Sequence, residues 1–125
     1  MDAYSYLFYG LGQVAYAVAM ADGKVQKEEE QMLNDIVVSN LEKNNIDFDY
    51  TDTIFKILKS DDILDAESSY KEGVKSINLG GNHLTNELRD VFVVIINEIA
   101  EAFPPNTVEE RAFVSRFKED LEKAH

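Results

Sequence analysis

The chain has 125 residues, 45% of them hydrophobic, which is material for one domain that buries about two thirds of the surface exposed when unfolded. It has no cysteine, which excludes disulfides, thiolate zinc centres, iron–sulfur ligation and cysteine nucleophiles, and it suits a reducing, cytoplasmic setting. Twenty-four acidic residues against twelve basic ones leave a formal charge of -12, which repels phosphate backbones, so nucleic acid is not expected as a partner.

The first predicted helix runs from about Asp2 to Ala21, because Tyr4, Leu7, Phe8, Leu11, Val14, Ala15 and Val18 recur at three- and four-residue steps. Ala3 to Ala21 carries no charge and approaches the length of a bilayer-spanning helix. Membrane insertion is nevertheless disfavoured by four tyrosines, Ser5, Gln13, acidic residues at both edges and the lack of a basic stretch ahead of it. Gly10, Gly12, Ala15, Ala17, Ala19 and Ala21 suit a buried central helix that neighbours approach closely. Tyr4, Tyr6 and Tyr9 cannot share one helix face, so at least one is expected at the surface or in a dimer interface, which leaves a homo-oligomer open.

Asp22-Gly23 then forms a tight corner, since glycine tolerates positive φ and aspartate bonds its own nearby backbone. The second predicted helix spans about Gln26 to Lys43, with Val25, Met32, Leu33, Ile36, Val37 and Leu41 marking its apolar face. Glu28, Glu29 and Glu30 fall in its first turn, where free amides and the helix dipole favour carboxylates. Helix-start electrostatics accounts for them by itself; a cation shared with Asp22 is the alternative.

Asn44-Asn45 ends the second helix, and further helices are predicted over about Thr51 to Ser60 and Asp61 to Ile77. Asp47 to Asp52 lacks the glycine of a calcium loop and reads as a capped helix start. After Gly80-Gly81, the fifth predicted helix spans Thr85 to Ala102. Its run Val91 to Ile96 is helical rather than strand, because Leu84, Leu88, Phe92, Ile95, Ile99 and Ala102 continue one stripe on both sides. Pro104-Pro105 ends it, and Thr107-Val108-Glu109-Glu110 is a capping box that opens the last helix, ending near Ala124.

A shift of 81 positions aligns Ala19 with Ala100, Ala21 with Ala102, Glu28 with Glu109 and Glu29 with Glu110, while Leu11, Val14, Val18 and Met32 meet Phe92, Ile95, Ile99 and Phe113. The expected fold is therefore an all-α, single-domain bundle of about six helices over residues 1–125, built from two pseudo-repeated helix hairpins. In this arrangement the first and fifth helices pack across a pseudo-twofold axis, and the helices from Thr51 to Ile77 close a side.

The run Ala17-Val18-Ala19-Met20-Ala21-Asp22-Gly23-Lys24-Val25-Gln26-Lys27-Glu28-Glu29 resembles the signature of the TerB-like family of bacterial tellurite-resistance and stress proteins. The resemblance covers the first hairpin closely and the rest of the chain loosely. It implies an all-helical domain, a link to stress or phage-defence systems, and acidic residues that bind metal. The residues that match are Asp22, Gly23, Glu28 and Glu29, with Glu109 and Glu110 as their second-copy counterparts. Where family members often repeat the Asp-Gly turn, this chain has Phe103-Pro104, so an ion would depend on Asp22 and the first-copy glutamates, aided by Glu98 or Glu101.

Three functions compete on these residues. A non-catalytic scaffold would dock a partner protein through its acidic face or an exposed tyrosine patch. A cation site would take Ca2+ or Mg2+, since oxygen is the donor available in quantity; but Glu28 and Glu29 project about 100° apart and need a partner segment to converge. The alternative is a carboxylate-dependent hydrolase, using Glu98 and Glu101 three residues apart, or a purely structural helical domain. His83 and His125, the two histidines, are expected at the surface. The scaffold is the preferred reading.

Overall fold

Asp2 starts the first helix by accepting the Ser5 N–H on its carboxylate at 2.8 Å, which satisfies one of the amides that a helix start leaves without a partner. This computed structural model describes residues 2–20, 27–46, 65–103 and 108–124. Five α-helices lie within them: α1 (Ala3–Ala19), α2 (Lys27–Lys43), α3 (Ala66–Leu79), α4 (Asn86–Ala102) and α5 (Val108–Lys123), with a single 3-10 turn at Gly81–His83. No strand occurs among the described residues, so the all-α expectation holds there. None of the described helices is long and apolar enough to cross a membrane.

Most boundaries follow the expected chemistry. Asn45 takes a left-handed φ of 58°, its N–H bonds to the Glu42 carbonyl at 3.1 Å, and the Ile46 N–H reaches the Leu41 carbonyl at 2.9 Å. That pairing is a Schellman cap with asparagine in the glycine position. Thr85 caps α4 by accepting the Leu88 N–H at 3.1 Å. The α5 helix begins at Val108, while the side chains of the Thr107–Glu110 capping box lie outside the described residues, as does the predicted helix at Thr51 to Ser60.

One helix is corrected at both ends. The helix expected from Asp61 starts at Ala66, because Asp65 is extended (φ -64°, ψ 170°) and its carboxylate accepts the Ser68 N–H at 2.7 Å. An aspartate in that conformation caps a helix rather than continuing it. The same helix runs two residues past Ile77, to Leu79, and stops at Gly80.

The packing of α1 also differs from the expectation in emphasis. Its most extensive neighbour is α3, which lies antiparallel along its length rather than closing a side of the bundle. Ser76 Oγ donates to the Tyr6 carbonyl at 2.7 Å, and Ser69 Oγ donates to the Gln13 carbonyl at 2.9 Å. Between them the backbones nearly touch: a Cβ on Gly73 would stand 2.7 Å from the Gly10 carbonyl oxygen and 2.7 Å from Val14 Cγ2. At the end of α3 a Cβ on Gly80 would meet the Ala3 carbonyl and lie 2.9 Å from Leu7 Cγ. Gly80 has φ -100°, so closeness, not backbone conformation, requires glycine there.

The opposite side of α1 meets α4, where Phe8 and Phe92 cross edge to face with centroids 5.7 Å apart. Helix α4 also receives α2 and α5, and α2 touches α4 more extensively than it touches α1. Val14 and Ile95 belong to one hydrophobic core together with Leu33, Val37, Tyr70, Phe113 and Phe117. Within the run Val91 to Ile96, four side chains are buried and Val94 is exposed, which is the pattern of a helix and not of a strand.

A methyl group at position 73 tests the α1–α3 contact. Alanine gains about 1 kcal/mol in helix propensity over glycine, but overpacking costs about 1–3 kcal/mol and more where the obstacle is backbone. Gly73→Ala should therefore lower the urea unfolding free energy by about 2 kcal/mol, and an unchanged or higher midpoint would refute the contact.

Candidate functional site

The sequence predicts a carboxylate cluster of Asp22, Glu28, Glu29, Glu98, Glu101, Glu109 and Glu110. Asp22 and the side chains of Glu109 and Glu110 lie outside the described residues. Among the others, Glu28 and Glu101 are exposed, and Glu29 and Glu98 are half-buried. Glu98 is committed to packing: the carboxamide of Asn40, itself only 4% exposed, donates to it at 2.8 Å and also reaches the Ile36 carbonyl at 2.8 Å. That bond ties α2 to α4. Among the described residues no group of three histidine, aspartate or glutamate side chains is placed to hold a metal ion. Burial first, and then the negative charge of Glu30, push the Tyr16 phenol above its ordinary value.

A second polar set joins α3 to α5. Tyr70, 1% exposed, donates its hydroxyl to Asp120 in a short hydrogen bond. The Arg116 guanidinium lies 4.3 Å from the centroid of the Tyr70 ring and donates to Glu67 at 2.7 Å. That hydrogen bond holds the Glu67 carboxyl below its usual range. Both partners of the ion pair are substantially exposed, so its contribution is about 1 kcal/mol or less. Burial, and then the bond to Asp120, push the Tyr70 phenol far above 10. The arrangement is a clamp between helices.

A concave feature of the surface lies elsewhere, at the end of the bundle where α1 begins. Tyr4 and Phe8 of α1, Ile46 beyond the cap of α2, and Leu88 and Val91 of α4 wall a groove of about 430 Å³. Its polar groups are Asn44, His83, Thr85 and Glu87. The volume falls in the range of about 300–1,000 Å³ typical of binding pockets. Each wall has a local cause. The Schellman cap turns Ile46 back toward the bundle, the 3-10 turn after Gly80 carries His83 to the rim, and the Thr85 cap aims the first turn of α4 at α1.

Tyr4 is 51% exposed, as the conflict among the three early tyrosines requires of at least one of them; Tyr6 and Tyr9 are half-buried. Its ring meets the exposed His83 imidazole edge to face at 5.3 Å. Leu79, at 61% the most exposed of the large hydrophobic side chains described, emerges at the same end, because its neighbour Gly80 rests on Ala3. Single-helix periodicity places Leu88 and Val91 in the core and signals nothing of a groove, and His125 lies outside the described residues. No family profile, curated protein or solved structure matches the chain.

The clamp carries a pH dependence. The folded state favours the protonated Tyr70 phenol, so its contribution is complete below pH 10 and is lost as pH rises above that. Tyr70→Phe should cost about 1–2 kcal/mol at neutral pH by leaving Asp120 without its donor, and it should flatten the alkaline loss of stability. Urea titrations of both proteins from neutral pH to above pH 10 test this; parallel alkaline declines would refute it.

Proposed function

We propose that the chain is a non-catalytic, acidic interaction scaffold of TerB-like type that docks a partner protein at the Tyr4 groove. The observation that carries this reading is an apolar-walled groove whose wall residue Tyr4 is exposed, at the same end of the bundle as the exposed Leu79. Apolar surface left uncovered beside a concavity is a usual mark of a protein-binding site. The acidic surplus keeps such a surface from associating with its own copies.

The TerB-like assignment, with its stress or tellurite-resistance role, rests on the Asp22-Gly23 turn followed by Glu28-Glu29. Six helices in two pseudo-repeated hairpins form part of the same proposal, supported by the 81-residue register of apolar positions and by the shared core of Val14 and Ile95. A cytoplasmic location accords with a chain free of cysteine. Docking is preferred to ion capture because Glu98 is bound by Asn40, and Glu28 and Glu101 are exposed.

Affinity capture in the native host, with the chain and its Tyr4→Ala/Leu79→Asp variant as parallel baits, tests the docking surface. The variant should keep its melting temperature and lose at least about tenfold in retention of the specific partner, as expected when two contact residues worth about 1 kcal/mol each are removed. Equal retention by both baits would sink the proposal.

A further inference from the structure

The groove has a chemistry that selects among partners. Its walls are hydrocarbon and aromatic, supplied by Tyr4, Phe8, Ile46, Leu88 and Val91. Among the described residues that line it, Glu87 is the carboxylate, and none is a lysine or arginine. Glu87 is exposed in the first turn of α4, at the rim rather than in the floor. An apolar group entering here therefore meets a carboxylate at the edge.

The charge of the whole chain points the same way. At -12, the molecule raises the local concentration of cationic segments and opposes both anionic partners and a second copy of itself. The volume of about 430 Å³ suits a few bulky side chains and not a folded surface. Exposed Leu79 at the same end offers further apolar contact to a segment longer than the groove.

Resting on the docking reading above, we infer that the occupant is a short peptide segment of a partner protein, with apolar anchor residues flanked by lysine or arginine. The anchors fill the groove between Phe8, Ile46, Leu88 and Val91. A basic residue beside them pairs with Glu87 at the rim. Burial of the anchors supplies most of the affinity, and the basic residues set the on-rate and the preference over acidic segments.

Three synthetic peptides separate the terms: an amphipathic peptide of leucine and lysine, its twin with glutamate for lysine, and a lysine–glutamine peptide of equal charge without anchors. Binding is read from backbone amide shifts of the isotope-labelled full chain. The leucine–lysine peptide should move the amides of Tyr4, Ile46, His83 and Leu88. It should bind at least about tenfold more tightly than its glutamate twin at low salt. That ratio should shrink as ionic strength rises from about 0.01 to about 0.15 M, where the Debye length falls from about 30 to about 8 Å. Glu87→Gln, an exposed change that leaves the fold intact, should narrow it too.

Equal affinity of the two leucine peptides at the groove would overturn the cationic partner while leaving the docking surface standing. A lysine–glutamine peptide that binds as tightly as the leucine–lysine one would overturn the need for anchors. If neither leucine peptide moves the groove amides, the docking reading itself falls.

Discussion

The contact between the backbones of Gly10 and Gly73 governs the arrangement of this molecule. With no Cβ on either residue, α1 and α3 approach until carbonyl oxygens occupy the space that side chains would fill. The serine hydroxyls on either side then reach the carbonyls of Tyr6 and Gln13, so the closeness is matched by hydrogen bonds. This contact sets the register of α3 against α1, and the register decides what lies at each end. Gly80 comes to rest on Ala3, the chain turns through Gly81–His83, and His83 meets Tyr4. The groove follows from a helix contact that begins two turns away.

A chain with twice as many acidic as basic residues must place its carboxylates where they do not destabilise the fold. Several are absorbed by local electrostatics. Asp2 and Asp65 cap helices, and the amide each accepts lowers its carboxyl from the usual range. Glu28, Glu29 and Glu30 occupy the first turn of α2, where the dipole favours them. Others connect helices: Glu98 takes the Asn40 carboxamide between α2 and α4, while Glu67 and Asp120 hold Arg116 and Tyr70 between α3 and α5. Glu87 differs in position, because it stands exposed at the rim of an apolar concavity.

The helices themselves were legible from periodicity, as Val91 to Ile96 illustrates: the run is ambiguous in isolation, but its flanking stripe identifies α4. Asn44-Asn45 was legible as a stop because few residues other than glycine accept a left-handed backbone. The start of α3 after Asp65 rather than at Asp61 is not legible from spacing, because several aspartates precede the helix and spacing does not say which one caps. The close partner of α1 was missed for a different reason. Ser69, Gly73, Ser76 and Gly80 form a small-residue stripe that resembles weak helix propensity until the opposing helix is present.

Sequence by itself determined the helical class, the apolar faces, most helix ends and the acidic charge, because each depends on residues within a few positions of one another. Tertiary structure decided that α3 lies along α1, that Glu98 is held by Asn40, and that Tyr4, Ile46, His83 and Leu88 share a groove. Those relations join residues tens of positions apart. They are settled by which helix surfaces fit without a steric clash, a property of the assembled solid and not of any segment alone.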